Sequence, residues 1–383
     1  MKTKLLRHCV SILSILFQLS GPGEILAQTP VPFNSNRWFF LESPQRPGVT
    51  GHVLEEYLGK PGILLRNTEA QLKDINFTNG IIEYDVVFGP ERRGIGVSFR
   101  MQDAGNCESF FIRTHQSGNP DATQYMPLFQ NMDSWQLYHG KGFSAPVNFT
   151  FNQWVHFKLV ISENQMEVFI GDMEKPALFV PVLKRQVKGG TISLFGNETR
   201  FANFSYTDLP DPAIKSADLP EATLLNGTIK HWQVSQSFPE KKLDSLLRLT
   251  PSQKTGLTWQ QMTTEETGLI NLAAGPAWSK NDNTTFARLI IESEREQIKA
   301  LKLGFSDRAK VFLNDQLLFN GHDEFQSRDY RFLGTIGYYD EIYLPLKKGR
   351  NELWVAVSEN FGGWGIKAAI ENQAGIKIQT QIK

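Results

Sequence analysis

The sequence predicts an all-β fold: two antiparallel β-sandwich (jelly-roll) domains joined by a short linker rich in proline and aspartate. Three observations carry this expectation. Short runs of β-branched and aromatic residues alternate with turn residues along most of the chain. No segment sustains an apolar period of 3.6. The stretch 208–220, DLPDPAIKSADLP, breaks the strand pattern with a composition suited to an extended connection.

The elements are taken in chain order. Residues 1–28 read as an export signal: Lys2, Lys4 and Arg7 precede a short apolar run from Cys9 to Leu19, with cleavage expected near Ala27 or Gln28. The first domain is expected over 29–207, beginning with an irregular lead-in over 29–72. Its strands are expected at 81–88, 94–102, 109–115, 154–162, 165–171, 190–195 and 201–206. Turns at Gly89-Pro90, Gly118-Asn119-Pro120, Glu163-Asn164 and Gly171-Asp172 separate several of them. The linker 208–220 leads to a second domain over 221–383. Strands are expected there at 286–293, 300–305, 310–314, 316–319, 341–346, 352–358 and 365–370. Asn314-Asp315 reads as a tight hairpin, and KKGRN at 347–351 as a turn.

Composition narrows the function classes. The chain has 383 residues, and its 40 Lys and Arg balance 40 Asp and Glu. Without a basic run, nothing points to nucleic acid. No later segment is long and apolar enough to span a bilayer. Of the two cysteines, Cys9 leaves with the signal and Cys107 remains alone, so no intrachain disulfide is expected and Cys107 reads as a core residue. The 27 Phe and 8 Trp suit both sheet cores and stacking platforms.

The run 108–142, ESFFIRTHQSGNPDATQYMPLFQNMDSWQLYHGKG, concentrates polar and aromatic groups on a β framework. Such density points to a recognition surface for carbohydrate, because rings pack on the C–H face of a sugar while polar groups take its hydroxyls. Strand alternation puts Ser98, Arg100 and Gln102 on one face, and Phe111, Arg113 and His115 on one face of the next strand. If the two strands are neighbours, two guanidiniums and an imidazole converge on a concave sheet face. Gln124 and Tyr125 extend the set, with Trp135 beside them. Two readings stay open: ligand contacts, or structural pairing of the arginines with Glu83, Asp85 or Asp103. Trp135 and, in the second domain, Trp364 of NFGGWG are either stacking rings or core plugs. Gly321-His322-Asp323-Glu324-Phe325 gathers ligand types that suit Ca²⁺, but without diagnostic spacing, so a solvated loop and no metal or cofactor are expected. No zinc-protease, nucleophile-elbow, phosphate-loop or dinucleotide motif is present.

The segments GIIEYDVVF, GIGVSFRMQD, ESFFIRTHQSGNPDATQY, the pair WVHFKLVIS and QMEVFIG, and GGTISLFG with TRFANFSY resemble the concanavalin A-like lectin/glucanase superfamily. Within it they resemble the 3-keto-disaccharide hydrolase-like branch. KVFLNDQLLFNG, LPLKKGRNELWVAVSENFGGWG and IKHWQVSQSF resemble a galactose-binding-like jelly roll. The resemblance implies sugar or polymer attachment. Against the glucanase branch, Glu83 and Asp85 match two acids of a strand motif, but Val87 stands at the position of the third. The expected function is that of an exported carbohydrate-binding protein, secreted, periplasmic or at the cell surface. One alternative is cleavage of a 3-keto disaccharide or polysaccharide, with His115 as base and an arginine stabilising the enolate. The other is a structural module of the cell surface.

Overall fold

The computed structural model describes residues 28–42, 49–217, 219 and 223–379. The expected export signal lies outside the described residues, apart from Gln28. Among the described residues the chain forms four antiparallel sheets with a few short helical turns. No helix among them is long and apolar enough to cross a membrane.

Sheets I and II come from the N-terminal half. Sheet I has eight strands, ordered Leu178–Val180, Gln165–Ile170, Val155–Ser162, Gly80–Val87, Thr199–Asp208, Lys60–Arg66 and Gly51–Tyr57, with Thr29–Pro30 joined to Thr199–Asp208. Sheet II has seven, ordered Ser144–Ala145, Thr123–Tyr125, Asn106–Arg113, Gly94–Asp103, Thr191–Gly196, Thr68–Leu72 and Trp38–Glu42. Alternation explains the packing. Ile82, Tyr84 and Val86 of sheet I and Val97, Phe99, Phe110 and Ile112 of sheet II point inward and share one buried cluster. Burying such side chains stabilises the sandwich by about 2 kcal/mol each. Cys107 is enclosed, and burial pushes its thiol up to about 12.

Sheets III and IV come from the C-terminal half. Sheet III runs Trp259–Thr263, His231–Ser235, Thr284–Ser293, Gly349–Ser358, Arg308–Leu313 and Gln316–His322, with Ile376–Gln379 on Thr284–Ser293. Sheet IV runs Ile270–Asn271, Gly365–Ala369, Gln297–Ser306 and Asp340–Leu346. Leu289, Leu301, Val311, Leu353 and Ile366 belong to the core cluster between them. Asn314 and Asp315 both have positive φ, 51° and 71°, the geometry of the expected tight hairpin.

Two expectations are corrected. The lead-in over 29–72 is not irregular, because it supplies four strands of five to seven residues. Among the described residues there, Gly59 sits at a turn and Pro61 and Gly62 on an edge-proximal strand, where they do not prevent pairing. Arg100 is not on the outer face of its strand. A bulge shifts the register of Gly94–Asp103 against both neighbours, between Phe99 and Asp103 on one side and Thr191 and Ser193 on the other. Arg100 takes φ 48° within it. One extra residue reverses the facing of the residues beyond it.

The Arg100 guanidinium therefore crosses the sandwich. It donates to Thr78 O at 2.7 Å, Asn79 Oδ1 at 2.8 Å and Glu163 O at 2.5 Å, all at one end of sheet I. Arg100→Met should leave these acceptors without their donor and lower unfolding stability by about 3 kcal/mol in urea titration. Arg100→Lys should not restore it, because an ammonium lacks the planar fork that reaches all three.

Candidate functional site

The expected open face of sheet II is largely closed. Ser98, Ser109 and Ser193 line its centre and are buried. Gln124 projects from that face but is enclosed, donating to Trp135 O at 2.7 Å and Tyr138 O at 2.6 Å, so it pins the adjoining loop. Tyr125 faces the interior, where its hydroxyl donates to Glu108 Oε2 at 2.5 Å and accepts from Lys184 N at 2.6 Å. Trp364 is fully enclosed in the C-terminal core and donates to Val357 O at 3.0 Å. Arg100, Gln124, Tyr125 and Trp364 are thus shut away from any ligand approaching the surface. Most of their polar atoms bond within the protein, while Arg100 Nη1 and Gln124 Oε1 have no partner among the described residues.

The loop 126–143 explains the closure. It carries side chains of the N-terminal half into the C-terminal half. Met132 enters the C-terminal core cluster, and Leu137 and Tyr138 pack with Leu269 and Ile336. Gln136 binds on every side: its N–H donates to Gly362 O at 2.8 Å, its amide donates to Leu333 O at 2.8 Å and accepts from Ser306 Oγ at 3.2 Å, and its carbonyl accepts from Ile336 N at 3.0 Å. Gly362 and Gly363 have φ of 101° and 140°. A Cβ at Gly362 would sit 2.3 Å from Gln136 Oε1, and one at Gly363 would sit 2.8 Å from Leu137 Cγ. The two glycines serve this contact, not a ligand.

At the mouth of this junction two of the expected residues, Arg113 and Trp135, do meet. The Arg113 guanidinium lies 4.6 Å from the Phe111 ring centre and 5.3 Å from that of Trp135. It donates to Asp121 O at 3.0 Å and keeps 15% of its side chain exposed. His115 is not on the strand, which ends at Arg113. It sits in the helical turn Thr114–Gln116 beside Arg113. Its Nδ1 is buried and has no hydrogen-bond partner among the described residues. Burial, Arg92 and Arg113 lower its pKa, so the imidazole is neutral at pH 7. Asp133 lies next to Arg113; burial pushes its carboxyl up to about 6 against the pull of that guanidinium, and its Oδ1 also has no partner there.

The C-terminal half completes the assembly. Trp135 meets the rings of Phe361 and Phe325 at 5.7 and 6.4 Å, edge to face. Phe361 is 54% exposed. Sequence alternation had no means of finding Phe325 or Phe361, which lie far along the chain. The loop Gly321–Phe325, expected to be solvated, is instead tied by ion pairs within the chain: Asp323 pairs with Arg328 at 2.5 Å, and Glu324 pairs with Arg308 and His322. No group of His, Cys, Asp or Glu among the described residues is arranged to hold a metal ion.

Glu83 and Asp85 lie elsewhere, on the outer face of sheet I. His156 stands between them, with Nδ1 2.8 Å from Asp85 Oδ1 and Nε2 3.4 Å from Glu83 Oε1. Asp85 also accepts from Lys60 at 2.6 Å and Asn203 at 2.7 Å. Burial alone would raise the Asp85 carboxyl, but hydrogen bonds from His156, Lys60 and Asn203 outweigh it and hold the group at about 2. Hydrogen bonds to Asp85 and Glu83 raise His156 to about 9. Neither Asp85 nor His156 exchanges a proton near neutrality, as a glycosidase acid must.

No protein-family model matches this chain, and no curated protein matches it. Among solved structures it is similar to the carbohydrate-binding module CBM66 from Bacillus subtilis, with 11% identity over 45% of this chain and 97% of that one, at a TM-score of 0.34. It is similar to the Bacillus licheniformis β-glucanase, with 9% identity, 48% and 98% coverage and a TM-score of 0.33. It is also similar to the exoplasmic/lumenal domain of VIP36, with 9% identity, 47% and 86% coverage and a TM-score of 0.32. Each likeness spans about half of this chain.

Proposed function

We propose that this chain is an exported carbohydrate-binding protein whose ligand lies in the mouth of the junction between its two halves. One observation carries the reading. An exposed ring, Phe361, stands edge to face against Trp135, over whose ring the partly exposed Arg113 guanidinium lies. A sugar suits this pair: its C–H face covers the ring, and its hydroxyls accept from the exposed edge of the guanidinium. The boundaries 29–207 and 221–383, with a linker at 208–220, describe the two cooperating units.

Binding is favoured over cleavage because the carboxylate pair of sheet I is locked with His156. A second reading rests on His115, a neutral imidazole beside a guanidinium, which suits proton abstraction from a 3-keto sugar. In that case product release from 3-keto-glycosides should vanish in His115→Ala while binding persists.

The binding reading is tested by thermal-shift and calorimetric titration against a glycan panel. Phe361→Ala should weaken the best ligand about tenfold, roughly the 1.4 kcal/mol of one sugar–ring contact, with little change in melting temperature because the ring is exposed. Unchanged affinity in that variant would remove the junction from consideration.

The lock on sheet I has its own signature. His156 is raised from 6.5 to about 9, so its contribution to stability is complete below 6.5 and is lost as pH rises through 9. Asp85 is lowered from 3.8 to about 2, so its contribution is present above 3.8 and is lost as pH falls through 2. Urea unfolding of His156→Gln should therefore fall furthest below the parent at about pH 5–6 and converge with it near about pH 10.

A further inference from the structure

Sheet I ends on an unpaired strand. Among the described residues, Gly51–Tyr57 pairs with Lys60–Arg66 on one side and with no strand on the other. The hairpin between the two fixes which backbone groups are left over. Its two-residue loop, Leu58-Gly59, has φ of 45° and 75°, the type I′ geometry in which the closing pair, Tyr57 with Lys60, exchanges both hydrogen bonds. Such pairs recur at every second residue, so Glu55, Val53 and Gly51 also turn their N–H and C=O inward, to Gly62, Leu64 and Arg66. His52, Leu54 and Glu56 turn theirs to the open edge. Pro61 agrees with this register: it stands opposite Glu56, where no N–H is asked of it.

This edge lacks the devices that keep strands apart. An open row of N–H and C=O groups is a template for another chain unless the strand is short, bulged, covered or interrupted by proline. Leu178–Val180, at the opposite end of sheet I, has three residues, and Ser144–Ala145, at one end of sheet II, has two. Asp340–Leu346, at the edge of sheet IV, carries Pro345. Gln316–His322, at an edge of sheet III, pairs with a register shift, and its Leu317 N–H donates to Leu247 O. Gly51–Tyr57 has seven residues, no proline and no register shift against its neighbour. It leaves apolar side chains open on both faces, Val53 at 41% and Leu54 at 50% exposure. Leu54 stands opposite the fully buried Ile63, so the core-facing side of sheet I runs out to this edge uncovered.

The order of the residues decides what fits there. Alternation puts His52, Leu54 and Glu56 on one face, the same three residues whose backbone groups point to the open edge. A second copy of the strand, laid antiparallel about a two-fold axis at Leu54, sets Leu54 against Leu54 and each His52 against the Glu56 of the other copy. All of these are hydrogen-bonded pairs in that register, so both open edges are satisfied at once. No like charges meet, and an imidazole faces a carboxylate at either end. The His52 ring is steadied by stacking on Phe40 at 3.6 Å, and Glu56 is exposed. Moving the axis by one residue sets Leu54 against His52 or Glu56 and loses the match. We propose that Gly51–Tyr57 is a self-recognition edge, on which a second copy of this chain pairs antiparallel about Leu54 and continues sheet I from one copy into the other. The contact closes as a pair, because the same edge serves on both copies. The inference does not depend on the junction reading.

The test is sedimentation velocity of the full chain from about 1 to about 200 µM, with the melting temperature of every variant recorded at the dilute end. A reversible monomer–dimer equilibrium is expected. Leu54→Lys and Glu56→Lys should each weaken it about tenfold, because every change is felt twice across the two-fold axis, and should keep the melting temperature of the monomer because both side chains are exposed. His52→Glu should weaken it as well. His52→Glu combined with Glu56→Lys should restore it to within about threefold, since opposite charges again face each other. Monomers across the whole range overturn the proposal. So does a dimer indifferent to Leu54→Lys, or one that the paired charge swap fails to restore. A chain that stays monomeric yet binds an added strand peptide of unrelated sequence marks the edge as the site of another partner, and overturns self-pairing too.

Discussion

The constraint on which the rest depends is the docking of the loop 126–143 into the C-terminal half. Gln136 alone ties Gly362, Leu333, Ser306 and Ile336 to the N-terminal half. Met132 crosses into the C-terminal core. Lys184, with 3% of its side chain exposed, adds an ion pair to Glu265 at 3.0 Å. A buried polar group is costly unless it is satisfied, so these contacts fix the two halves in one arrangement rather than a range of them. The docking shuts off Gln124 and brings Phe361 against Trp135. The candidate site exists only because the halves meet.

Phe361 owes its position to two buried carboxyl groups. Asp307 Oδ2 accepts from Asn360 N at 2.9 Å and Phe361 N at 3.1 Å, and Glu359 Oε1 accepts from Gly363 N at 3.0 Å. Burial pushes Asp307 up to about 6, and burial and Asp307 together push Glu359 well above the usual carboxylate range. Two acids held this way oppose each other's ionisation. The backbone geometry of residues 359–363, the loop that presents the exposed ring, offsets that cost. An apolar substitution at either acid would relieve the repulsion and release the loop.

Much of the fold was legible. Strand alternation and turn chemistry located the cores of most strands, and Asn314-Asp315 adopts the left-handed pair that its residue types favour. The misses have definite physical causes. Within 29–72, Gly51–Tyr57 and Lys60–Arg66 form a local hairpin and Trp38–Glu42 pairs with Thr68–Leu72, while Leu64 also pairs with the distant Arg200; the sequence there is too rich in turn residues to announce these strands. Arg100 failed because alternation holds only until a bulge, and nothing in GIGVSFRMQD marks one. The density of polar and aromatic groups over 108–142 reads as a recognition surface for carbohydrate. Much of what it faces is the rest of the same chain. Trp135 and Phe361 illustrate the limit, since no local pattern can join residues that only the packed halves bring together.

The two bulges of the N-terminal half act in opposite senses, and together they sort its chemistry. In sheet II the bulge at Arg100 takes a cation off the outer face and directs its donors to the ends of sheet I. In sheet I the bulge at Asn203 adds an amide to the outer face, where it holds Asp85. Each includes a residue with positive φ, Arg100 or Asn203, and each decides on which side of a sheet one polar group stands. A scheme of strict alternation would put the arginine cluster on sheet II and leave Asp85 without its amide donor on sheet I. The observed arrangement leaves sheet II to close against its own loop and leaves sheet I with an ordered, charge-balanced surface. Register, more than composition, therefore determines which face of this sandwich can meet a ligand.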